Sequence, residues 1–121
     1  MREILFRGKR ADNEEWVYGY FGKNADGGYY ISKTLSSNMR IVHSIIPETL
    51  GQFVEMEDTS GTKIFEGDKV EIITSNNVGD TCITRVTVSF DDLNALNAIN
   101  YSHEIYVIGN IYDTPELLEE R

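Results

Sequence analysis

Turn-forming clusters of Gly, Asn, Asp, Ser and Pro punctuate this chain at intervals of roughly 8–15 residues, leaving only short apolar runs between them. Runs of that length suit strands rather than helices, because an amphipathic helix needs an uninterrupted period over ten or more residues. The opening Ile4–Arg7 predicts a short strand, followed by a polar turn through Lys9–Asn13. In Trp16–Phe21 the period-two alternation puts Trp16, Tyr18 and Tyr20 on one face and Val17 and Phe21 on the other. Asn24-Ala25-Asp26-Gly27-Gly28 is a hairpin turn, since Gly, Asn and Asp tolerate the positive φ of tight turns, and Tyr29–Ser32 is the partner strand.

Lys33 to Asn38 reads as a polar loop, and Ile41–Ile46 as a strand ended by Pro47, which lacks the ladder donor. Gly51–Val54 is short and apolar, Ser60-Gly61 turns the chain, and Val70 and Ile72 then alternate with Lys69 and Glu71 as in a half-buried strand. From Cys82 onward, Cys82, Thr84, Val86, Val88 and Phe90 share one face, which is expected to be buried, with Arg85, Thr87 and Ser89 opposite. Asp91–Ala98 predicts one or two helical turns capped by Asp91 or Asp92. Ile105–Tyr112, apolar on both faces, predicts a central or closing strand, and Thr114-Pro115-Glu116 starts a short C-terminal helix through Leu117 and Leu118.

The expected fold is mainly β: a small barrel or meander over a single domain, residues 1–121, with sub-barrels 1–56 and 57–121 as its subdivision. The segment Ile64-Phe65-Glu66-Gly67-Asp68-Lys69-Val70 is similar to the corner that precedes the first strand of SH3-like barrels, so that character is expected in the C-terminal half.

With 121 residues, 40% of them hydrophobic, the chain can bury a core without staples and is too apolar for intrinsic disorder. Cys82 is the single cysteine, so an intrachain disulfide is excluded and a reducing cytoplasm is the expected home. The first residues carry neither the apolar run nor the cleavage site of a signal peptide, and no run approaches a membrane span. Net charge is −9, concentrated in residues 61–121, which hold 11 acidic against 4 basic side chains. Such a field repels phosphate backbones and disfavours broad nucleic-acid binding.

Four segments in order resemble the YopX family of phage and prophage proteins. They are Arg2–Arg10 with Trp16–Tyr20, then Ile46–Phe53, then Gly61–Asp68, and finally Val107–Asp113. The resemblance runs nearly end to end, with residues 74–104 as the variable stretch. It implies a small β-rich, phage-encoded protein that self-associates and has no assigned biochemical activity, so no catalytic residues carry over. One departure stands out: family members continue the Gly-Gln-Phe or Gly-Gln-Tyr segment with a Thr-Gly-Leu-like turn, where this chain has the more acidic Val54-Glu55-Met56-Glu57-Asp58.

Candidate chemistry is sparse. His43, Cys82 and His103, with Glu104, Asp91 and Asp92, are the available metal ligands, but no close pair of the kind a zinc site uses is present. No metal, cofactor or catalytic residue is therefore expected, and Cys82 is expected to face inward. Glu66 with Asp68, or Asp91 with Asp92, would suit acid/base work if desolvated; bonding turn amides or capping a helix is the commoner use of such carboxylates. Arg2, Arg7, Lys9 and Arg10 form the one basic cluster, beside Trp16, Tyr18 and Tyr20, a combination found in single-stranded nucleic-acid grooves.

The functional expectation is a non-enzymatic phage accessory protein of the host cytoplasm, self-associating through exposed strand edges and contacting a host or phage protein. The alternatives are nucleic-acid binding through Arg2, Arg7, Lys9, Arg10 and Trp16, mimicry of nucleic acid by the acidic half, and a small hydrolase.

Overall fold

The computed structural model describes residues 4–75, 78–89 and 104–114. The chain forms two compact units, Met1–Phe53 and Val54–Arg121. The strands of both are antiparallel.

The first unit contains β1 (Phe6–Lys9), β2 (Trp16–Lys23), β3 (Tyr29–Ser36) and β4 (Met39–Ser44), a 3₁₀ turn at Pro47–Thr49, and the start of β5 (Gly51–Glu57), which runs across the boundary. Their order in the sheet is β4-β3-β2-β1-β5. The β2–β3 hairpin forms at the predicted turn: the Asn24 amide donates to the Gly28 carbonyl, and Gly27 takes φ +91°, which its missing Cβ makes cheap. The segment Lys33–Asn38, read from sequence as a loop, instead carries β3 on to Ser36, with a bulge between Thr34 and Ser36. Gly19 lets β2 and β3 approach, since a Cβ there would collide with the Ser32 carbonyl. Ile31, Ile45 and Phe53 are buried, and Phe21 packs between Phe6 and Tyr29 with ring centroids 5.6 and 5.1 Å away.

The end of β4 returns to β1. A bridge joins Arg10 to Ile45, and the Ile46 amide donates to the Lys9 carbonyl. Thr49 locks the 3₁₀ turn to the same strand, its Oγ1 accepting from the Lys9 amide at 2.9 Å and donating to the Ile46 carbonyl at 2.6 Å. These contacts fold the sheet over at one end without closing a barrel.

The second unit contains the rest of β5, then β6 (Lys63–Phe65), β7 (Asp68–Ser75), β8 (Thr81–Thr87) and β9 (Glu104–Asn110). β6 lies beside β5, and the other three form a sheet in the order β8-β7-β9. Ile105 is buried in β9, which among the described residues is the last strand of its sheet, beside β7. Val54, Ile64, Val70, Ile72, Val88 and Ile105 make the core, with Met56, Val86 and Val107 against it.

Two carboxylates hold the turns. Asp58 Oδ1 accepts the amides of Ser60 and Thr62, both at 2.9 Å, and its Oδ2 accepts the Val107 amide at 3.0 Å. Asp68, only 1% exposed, accepts the Phe65 amide at 2.8 Å. Gly67 stands at φ +90°, where a Cβ would come within 3.1 Å of the Tyr112 ring.

Two further expectations need correction. The predicted barrels are two antiparallel sheets, and no barrel closes among the described residues. Cys82 is exposed rather than inward-facing, as is Thr84. Cys82 lies opposite Thr74 and Thr84 opposite Ile72, toward the tip of the β7–β8 hairpin. Val88, which does lie over the core, is buried. The helical turns expected at 91–98 and the C-terminal helix from Pro115 lie outside the described residues.

Candidate interaction surface

Strand register sorts the side chains of the first unit by face. Pairing of Arg7 with Tyr18 and of Lys9 with Trp16 places these four on one face, with Tyr20 two residues along. The Arg7 guanidinium lies over the Trp16 ring at 4.5 Å from its centroid, and Lys9 Nζ sits 5.5 Å from the same centroid. Arg7 is buried, 6% exposed, and Trp16 is half-buried, whereas Tyr18 and Tyr20 are exposed.

The sequence-predicted basic cluster divides accordingly. Arg7, Lys9 and Trp16 come together as a stack. Arg10 is held elsewhere by a bidentate pair with Asp12, Nε to Oδ1 at 2.9 Å and Nη2 to Oδ2 at 2.7 Å. That hydrogen-bonded pair raises the Arg10 pKa and holds the Asp12 carboxyl below its ordinary 3.8. Arg2 lies outside the described residues.

The opposite face carries a feature that residue types alone did not show. Ile31 pairs with His43 and Lys33 with Ile41, and Val17, Ile31, Leu35 and Ile41 with Lys33 and His43 line a cleft of about 330 Å³ bordered by Trp16 and Tyr18. Leu35, at the end of β3, is 51% exposed, and Met39, Ile41 and Val42 are exposed on β4. β4 is the last strand of its sheet, and beyond the contact of Ser44 with Ala11 no strand covers its outer side among the described residues. The sequence signal for this surface was the cluster Leu35, Met39, Ile41 and Val42, which strand alternation alone assigns no exposure.

His43 belongs to the first unit and Cys82 to the second, while His103, Asp91 and Asp92 lie outside the described residues. Among the described residues no three His, Cys, Asp or Glu side chains are gathered to hold a metal ion. Asp68 spends an oxygen on the Phe65 amide in the Gly-Asp corner, the structural use weighed above. Among these residues no helix is long and apolar enough to cross a membrane.

These features define a small, mainly β protein of two antiparallel units. The chain belongs to the YopX family: the family model described as YopX protein matches residues 5–119. Searches of curated proteins and of solved structures found no match.

Proposed function

We propose that this protein is a non-enzymatic, self-associating interaction module encoded by a phage or prophage and working in the cytoplasm of its bacterial host. Its contact surface is the β2–β4 region of the first unit. The supporting observation is the concentration of exposed Leu35, Met39, Ile41 and Val42 on and beside an uncovered edge strand. Single exposed apolar residues are ordinary, but a group of them at an open sheet edge invites pairing with another chain. Light scattering over a range of concentrations tests the reading. The expected result is a mass above the monomer that falls to the monomer in Ile41→Asp, with the circular dichroism of the variant unchanged. A concentration-independent monomer that retrieves no protein partner would overturn it.

A second reading is single-stranded nucleic-acid binding at Lys9 and Trp16 beside exposed Tyr18 and Tyr20. It ranks below the first because Arg7 is buried against Trp16 and Arg10 is engaged by Asp12. Retention on an oligonucleotide column at low salt, reduced by Lys9→Ala, would favour it; no retention would exclude it.

A further inference from the structure

Resting on the interaction-module reading, we infer that β4 takes an extended, acidic and aliphatic peptide segment of another protein as an additional antiparallel strand. In an edge strand every second residue turns its amide and carbonyl away from the sheet, so an incoming strand gains main-chain hydrogen bonds while its alternate side chains reach the two faces. On one face, the cleft lined by Leu35 and Ile41 receives aliphatic side chains. On the other, Arg40, opposite Thr34, faces the neighbouring positions of the incoming strand. Lys33, paired with Ile41, lies on the cleft face and Arg40 on the other, so the matching ligand carries carboxylates together with large aliphatic residues.

Charge fixes the sign of that ligand. The chain carries −9 overall, yet between Glu15 and Glu48 the only carboxylate is Asp26, in the hairpin turn, against Lys23, Lys33 and Arg40. This sheet is thus a basic island in an acidic chain, and complementary potential selects an acidic partner while repelling a basic one. At the Ser44 end of β4, Asp12 already faces Arg10, so the carboxylate nearest the strand is engaged. The neighbouring Val42 adds an exposed aliphatic contact on the Arg40 face.

The chain has one tryptophan, Trp16, and it borders the cleft, so its fluorescence reports occupancy. The full-length protein is titrated with a peptide of about ten residues alternating Leu and Glu, and with its Leu/Lys counterpart. The Leu/Glu peptide is expected to bind with a saturable fluorescence change, and the Leu/Lys peptide to give none. The double variant Lys33→Glu with Arg40→Glu is expected to weaken the first peptide by roughly tenfold or more and to admit the second. That reversal is a signature that loss of folding would not produce. Equal binding of both peptides, or of neither, overturns the inference. Should neither bind while Ile41→Asp dissolves a homo-oligomer, the occupant of β4 is a second copy; the inference then fails and the interaction-module reading survives. Binding of an oligothymidylate at the cleft in place of the acidic peptide would likewise overturn it.

Discussion

Replacing Asp58 with Ala removes one carboxylate that serves three amides in the second unit. Ser60 and Thr62 belong to the exposed β5–β6 turn, whereas Val107 is a half-buried residue of β9. The two turn amides can take water in the variant, so each loses about 0.5–1 kcal/mol, and the Val107 amide, left short of an acceptor in a partly dry position, loses about 1–2 kcal/mol. The sum is about 3 kcal/mol. For a chain of this length that lowers the thermal midpoint by roughly 12 °C, at about 4 °C per kcal/mol. Asp58→Asn keeps one carbonyl oxygen, and its amide donor must face either Val107 or the turn, so it should lose about half as much. Thermal and urea unfolding followed by circular dichroism measure both variants, and hydrogen exchange of the Val107 amide localises the effect. A midpoint shift below about 3 °C with the Val107 amide still protected would refute the assignment of Asp58 as the clamp between the β5–β6 turn and β9.

Further outcomes follow from single contacts. Gly19→Ala should destabilise the first unit by about 3 kcal/mol, because the new Cβ meets the Ser32 carbonyl, a backbone group that cannot rotate away; unfolding in urea measures it. Glu55→Gly should stabilise the protein by about 1 kcal/mol, since Glu55 holds φ +67°, where an L side chain is strained and glycine is not, even after glycine's entropy is charged against it; a lower midpoint would contradict this. Arg7→Ala should cost about 1–2 kcal/mol and alter Trp16 fluorescence by removing the guanidinium from the ring. In Arg10→Ala the Asp12 carboxyl should titrate back toward 3.8, followed by carbon NMR. Because Asp12 is depressed in the fold, the contribution of the pair is present above its unfolded value and fades as pH falls through its folded one. The variant should lose that acid-side dependence, and an unchanged Asp12 titration would refute it.

Much of the architecture was legible because it rests on local chemistry. The Asn24–Gly28 turn, the alternation in Trp16–Phe21 and the Gly67–Asp68 corner each specify their own backbone. The segments that carry the family resemblance also bond to one another: Thr49 to Lys9 across the first unit, and Gly67 to Ile111 within the second. That is a physical reason for such a signature to identify architecture while revealing no reaction.

The remainder depended on partners distant in sequence. Cys82 shares the alternation of Val86 and Val88 yet is exposed, and Arg10 left the basic cluster because Asp12 was within reach. Trp16 became half-buried through the cross-strand register that brings Arg7 over it. The surface at Leu35, Ile41 and Val42 was hidden for a related reason: alternation marks side chains as apolar, and only the order of strands shows that β4 has no outer neighbour among the described residues.

Hydrogen–deuterium exchange of the full-length protein at low and high concentration tests the interaction surface most directly. Protection of the β4 amides from Met39 to His43, gained with concentration and lost in Ile41→Asp, is the predicted result. Exchange along β4 that stays fast and indifferent to concentration, and to every protein partner retrieved from the host, would contradict it.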